Sequence, residues 1–201
     1  MKDPSQVQEI VKLGVDAIGM IFYKASPRNV SLNQALEIRE VVPPFVSLVG
    51  VFVDTNVEQV NEIAKAAGLD LIQLHGEQDY SFAERLSLPY VRAIRVRSKD
   101  IIKRERHEHV KARGFLLDTF SKEAYGGTGH RINPELLPEP LLNDTILAGG
   151  INPSNILDVL QHRPYALDIN SGVEQAPGDK DIEAIKSILG TMQKFDNEYK
   201  D

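Results

Sequence analysis

The chain has 201 residues, 42% hydrophobic and 26% charged, with a formal charge of -6 and a pI near 5.4. Those values predict one ordinary globular domain over 1–201, and an acidic balance argues against nucleic-acid partners and anionic membrane surfaces. The sequence contains no cysteine, which excludes disulfides, thiolate metal sites and cysteine nucleophiles together; an anionic small molecule stays open, because backbone amides hold phosphate without net positive charge.

The opening MKDPSQVQEI is polar and begins a helix, with Asp3 as N-cap, Pro4 in the first helical position and Gly14 as the stop. No basic leader precedes an apolar run, and Val46–Val53, among the longest apolar runs, is too short to span a bilayer, so a cytoplasmic protein is expected. Asp16–Tyr23 reads as a strand. Ser31–Glu40 is a helix with a Ser N-cap, closed by Pro43-Pro44. The strand Val46–Val53 leads to a helix over Asn56–Ala67, whose Val57, Val60, Ile63 and Ala64 share one face. Next come a strand at Leu69–Leu74, a short helix at Asp79–Leu86, a strand at Tyr90–Val96 and a charged helix at Asp100–Ala112. Phe115–Leu117 runs as a strand into Asp118. The long loop Thr119–Arg131 carries GGTG at Gly126–Gly129, and Pro134–Leu137 makes at most a turn or two. Thr145–Ala148 is a strand and Pro153–Gln161 a helix capped by Asn152. Ala166–Ile169 is the last strand, and Asp181–Gln193 the last long helix.

Strands that read as apolar runs point to parallel pairing with both faces covered. Strand–helix alternation along a whole chain points to a doubly wound sheet or a barrel. The first helix has no strand before it, and seven strands plus the one it asks for make eight. The expected fold class is therefore α/β, a (β/α)₈ TIM barrel with its first strand missing from this chain.

Reacting groups in such a barrel lie at the C-terminal ends of strands. The residues there are Arg28, Gln73, His75, Asp118, Gly149, Gly150, Asp168, Asn170, Ser171 and Gly172. The Gly149-Gly150 pair and the Asn170–Gly172 segment follow the last two strands, where this fold often binds phosphate. Asp118, at the mouth of an apolar strand, is placed to donate a proton if desolvation raises its pKa; taken alone, a loop-ordering role is the stronger reading. His75 either orients a ligand or bonds its own loop. His107 and His109 fall in the charged helix and read as solvated, so no metal site is expected. Arg28 offers a planar fork to a carboxylate, although a surface arginine is the commoner case. Asp168 reads as a loop-ordering carboxylate.

The segments GVDAIGMIFYKASPRNVS, VGVFVD, LIQLHGEQ, FLLDT, YGGTG, LAGGINPSNI and LDINSGVE with PGDKD stand in one register over nearly the whole chain. Together they resemble the phosphoribosylanthranilate isomerases of tryptophan biosynthesis. The resemblance implies an Amadori rearrangement of N-(5-phosphoribosyl)anthranilate, with no metal or organic cofactor. It implies Asp118 as general acid toward the furanose ring oxygen, and Arg28 as partner of the anthranilate carboxylate. It implies amides of Gly149, Gly150, Ser171 and Gly172 on the phosphate, within the Asn170–Gly172 segment, and Gln73, His75 and Asp168 around the middle of the pocket. The expected partner is a phosphorylated aminosugar, bound by a monomer or homodimer.

Family members begin with a strand reading Lys-Ile-Cys-Gly, whose cysteine is the general base; Met1-Lys2-Asp3-Pro4 matches the residues directly after that strand. The chain is therefore expected to be a reading frame begun at an internal methionine, or else a protein that lost its base. In either case it is expected to be nearly inactive, with unpaired edges on the Asp16–Tyr23 strand and on the last strand. Two further readings remain. One is another phosphosugar barrel, although a pentulose-phosphate epimerase would want metal-binding histidines at strand ends and an indole-glycerol-phosphate synthase would want lysines there. The other is a catalytically dead binder of a phosphorylated ligand.

Overall fold

A computed structural model describes residues 1–118 and 134–198. The GGTG segment lies outside the described residues. The strands are β1 (Ala17–Phe22), β2 (Ser47–Phe52), β3 (Leu71–Leu74), β4 (Tyr90–Arg95), β5 (Gly114–Asp118), β6 (Thr145–Ala148) and β7 (Ala166–Leu167). They form one parallel sheet in sequence order. Around it run α1 (Pro4–Val11), α2 (Leu32–Val41), α3 (Val57–Ala67), α4 (Tyr80–Ala83), α5 (Lys99–Glu108), α6 (Ile156–Gln161) and α7 (Ile182–Glu198).

The helices start where short polar side chains take up orphan amides. Ser31 and Gln34 form a capping box on α2, Asn56 caps α3 and Asp79 caps α4. Among the described residues no helix is long and apolar enough to cross a membrane.

The sheet is curled. In a flat sheet β3 and β7 would stand about 19 Å apart, four strand spacings. Instead Gln73 of β3 reaches Asp168, next after β7, with Nε2 to Oδ2 at 3.5 Å. Only a closed or nearly closed barrel brings those tips together.

Alternation along each strand then sorts the side chains. Val91, Ala93, Leu116 and Ala148, with Leu71 and Ile146, pack together in the interior. The alternate residues Ile94, Phe115, Leu117 and Leu147 pack outward with Ile102, Ile156, Val159 and Ile188 of the helices. Gln73 continues the face of Leu71, and Asp118 the face of Leu116. Strand register alone therefore carries both polar groups to the interior at its upper end.

Among the described residues no strand pairs the outer edge of β1 or of β7, although the outer edge of β1 is met at two points. The Met1 amine donates to Gly19 O at 2.8 Å and Val30 N–H to Ile21 O at 2.9 Å. Three further details differ from the sequence reading. Helix α6 begins at Ile156, because Asn152 spends its side chain on a tight turn, accepting from Ser154 N–H at 2.9 Å. An antiparallel hairpin, β8 (Glu174–Ala176) with β9 (Asp179–Lys180), follows a 3₁₀ turn at Ser171–Val173. His109, read as solvated, is 1% exposed. It is edge-on to Tyr80 and Tyr90, so aromatic packing shelters it.

Candidate active site

Three non-adjacent strands deliver one polar constellation. Gln73 and His75 come from the end of β3, Asp118 from the end of β5 and Asp168 from just past β7. His75 Nδ1 lies 3.4 Å from Gln73 Nε2, and His75 Nε2 lies 3.6 Å from Asp118 Oδ2. Both side chains stay partly open, His75 at 22% and Asp118 at 25% exposure, so a ligand can reach them. Burial pushes the Asp168 carboxyl above the usual range, and the Asp118 charge adds to this; His75, Gln73 and Lys180 pull it back. Two carboxyl groups in different surroundings thus face one interior.

Arg28, in the loop after β1, is not free. Its Nε donates to both oxygens of Glu174, at 3.0 and 2.9 Å, and its Nη2 to Oε2 at 2.5 Å. Glu174 also accepts from Lys180 Nζ at 2.9 Å and from Gly178 N–H at 3.2 Å. Lys180 in turn donates to the backbone and side-chain oxygens of Asn170 at 2.8 and 2.7 Å. Burial would raise the Glu174 carboxyl, but hydrogen bonds from Arg28 and Lys180 outweigh it and hold Glu174 ionised. Lys180, pushed down mainly by burial, is within electrostatic reach of Glu174, Arg28 and Asp168, which ties this cluster to the constellation. Burial also lowers the Met1 amine, to about 5, with Lys180 next in effect and Glu174, Asp168 and Arg28 nearby.

The last two loops meet closely. Gly149 and Gly150 take φ of 100° and 69°, which side chains resist. A Cβ on Gly172 would stand 1.9 Å from Ile151 O, so only glycine lets these backbones touch. Asn152 and Asn155 both donate to Gly150 O, at 2.9 and 3.0 Å. Among the described residues none accepts the backbone N–H of Gly149, Gly150, Ser171 or Gly172. Four unspent donors at one rim suit an anion. Among the described residues no group of three or more His, Asp or Glu is placed to hold a metal ion.

The family model for N-(5′-phosphoribosyl)anthranilate (PRA) isomerase matches residues 1–191. The chain belongs to the phosphoribosylanthranilate isomerase family. A relative named N-(5′-phosphoribosyl)anthranilate isomerase from Pseudomonas fluorescens (strain Pf0-1) is 40% identical over 184 residues, covering 91% of this chain and 90% of its own length. One of the same name from Geotalea uraniireducens (strain Rf4) is 39% identical over 89% of this chain and 88% of its own. The solved phosphoribosyl anthranilate isomerase from Thermotoga maritima superposes with a TM-score of 0.86 at 32% identity, covering 96% of each chain. Another, in complex with reduced 1-(o-carboxyphenylamino)-1-deoxyribulose 5-phosphate, gives 0.81 at 30% identity over 96% of this chain and 95% of that one.

Within an isomerase of this family, Glu174 and Lys180 are the residues that sequence reasoning passed over. Both stood in the SGVE and PGDKD segments used for the resemblance. The signal was a carboxylate and a lysine six residues apart beside the Asn170–Gly172 segment, and each was read as motif rather than as chemistry.

Proposed function

We propose that the chain binds N-(5-phosphoribosyl)anthranilate and acts in its Amadori rearrangement to 1-(2-carboxyphenylamino)-1-deoxyribulose 5-phosphate, a cytoplasmic step of tryptophan biosynthesis carried out by a monomer or homodimer. The supporting observation is the convergence of Asp118, His75 and Asp168 from three strands at the end of the barrel where the amides of Gly149, Gly150, Ser171 and Gly172 have no acceptor among the described residues.

Those amides take the phosphate. Asp118, within 3.6 Å of His75, gives its proton to the furanose oxygen; the C1′–O bond breaks and the nitrogen lone pair forms an iminium. A base then removes the C2′ proton and the enolamine tautomerises to the ketone. The family resemblance assigns that base to a thiol, and the 201 residues contain no cysteine. Arg28 meets the anthranilate carboxylate.

The test is turnover, followed by the fluorescence of the anthranilate group, in the chain carrying Lys-Ile-Cys-Gly ahead of Met1. Asp118→Asn in that background should slow turnover by about 10²–10⁴-fold, the usual contribution of an acid–base group. Full turnover without a carboxyl at 118 refutes the assignment.

A further inference from the structure

Arg28 is the group that the proposed function sets against the substrate carboxylate, yet it already holds a carboxylate of its own. A guanidinium has two bidentate edges. Glu174 occupies the edge formed by Nε and Nη2. Among the described residues none accepts from Nη1. The edge formed by Nη1 and Nη2 is therefore open to a second carboxylate, and the Arg28 side chain keeps 22% exposure to receive it.

Glu174 is built to stay where it is. Its side chain is 4% exposed. Lys180, 6% exposed, and the Gly178 amide bind it from the hairpin side. Lys180 is fixed in turn by two oxygens of Asn170. The hairpin is anchored to the first helix, where Lys180 N–H donates to Gln6 Oε1 at 3.1 Å and Gln6 meets the Asp179 carboxylate. A free arginine side chain samples many rotamers, and Glu174 holds this one in place before a ligand arrives.

We propose that Glu174, backed by Lys180, is a positioning residue that sets the specificity for a carboxylate on the aryl ring by locking Arg28 with its outer edge toward the ligand. The inference rests on the phosphosugar reading of the site and deepens it. It predicts discrimination between two ligands that differ only in that carboxylate: reduced 1-(o-carboxyphenylamino)-1-deoxyribulose 5-phosphate and its phenylamino counterpart.

Calorimetric titration of both ligands into the chain and into Glu174→Ala and Glu174→Gln tests this, with circular dichroism to show that each variant is folded. The unaltered chain should prefer the carboxylated ligand. Glu174→Ala should cut that preference roughly ten-fold, the factor that a loss of about 1.4 kcal/mol in binding carries. Affinity for the phenylamino ligand should change by less than about two-fold. Glu174→Gln keeps one acceptor for Arg28 and should recover part of the preference. Equal weakening of both ligands would make Glu174 a mere prop and overturn the proposal. Tighter binding of the carboxylated ligand by Glu174→Ala would make it a competitor and overturn it too. If the unaltered chain binds both ligands alike, Arg28 does not read the carboxylate, and this inference fails while the phosphate site stands. If it binds neither, the phosphosugar reading has failed first and takes this inference with it.

Discussion

Two buried arginine–glutamate pairs in this molecule look alike and serve different ends. On the outer wall Arg92 of β4 donates through Nε to Glu105 of α5 at 2.8 Å and through Nη1 to Gly76 O at 2.7 Å. The Arg92 and Glu105 side chains are 8% and 9% exposed. Arg104 meets the other oxygen of Glu105 at 3.2 Å, and His109 Nε2 lies 4.0 Å from the oxygen that Arg92 holds. At the mouth, Arg28 holds Glu174 through Nε and Nη2, Lys180 meets the same carboxylate, as Arg104 meets Glu105, and among the described residues none accepts from Arg28 Nη1. The Arg92 side chain is enclosed on the outer wall at 8% exposure, whereas the Arg28 side chain keeps 22% exposure at the rim. An ion pair enclosed under a helix supports structure, whereas one whose arginine is partly open at a mouth is available to a ligand.

The sharpest way to break this contrast is Arg92→Met. It leaves Glu105 buried with only the exposed Arg104 and a neutral His109 beside it, and unpairing such a charge commonly costs about 3–5 kcal/mol. Denaturant unfolding should show that loss, larger than the loss from Glu174→Ala. A reversed ranking would erase the distinction between the two clusters.

Next in size is Gly172→Ala. Its Cβ would strike Ile151 O, so one of the two touching loops must move. A loss of about 1–3 kcal/mol in stability is expected for such overpacking, together with weaker binding of the reduced phosphorylated product. Unchanged binding would mean that these loops do not hold the phosphate.

The smallest effect is a pH dependence on the outer wall. The His109 pKa is lowered chiefly by burial and next by Arg92, against the pull of Glu105, Glu108 and Asp79. The unfolded chain therefore binds a proton near pH 6.5 that the folded chain refuses. The contribution is complete above pH 6.5 and is lost as pH falls below it, by at most one proton's slope. His109→Phe should flatten unfolding free energy against pH between about 7 and 5.5. An unchanged slope would show that His109 takes up its proton in the fold.

Much of this was legible because the signals are local. Each strand is an apolar run bounded by turn residues, and Ser31, Asn56 and Asp79 announce their helices from one residue away. Placing Asp118 and Gln73 needed only strand register. The β8–β9 hairpin was not legible, since its strands are three and two residues long and are held by Gln6 and Arg28 from far along the chain. Arg28 and Glu174 are 146 residues apart, so no periodicity could pair them. His109 misled because it closes a charged helix whose inner face is defined only by Tyr80 and Tyr90.

The most direct measurement is a crystal structure of this chain with the reduced phosphorylated product. The account predicts the phosphate on the amides of Gly150 and Ser171, and the Asp118 carboxyl within about 2.6–3.2 Å of the oxygen derived from the sugar ring. A complex with the phosphate elsewhere, or with Asp118 turned to solvent away from that oxygen, would contradict it.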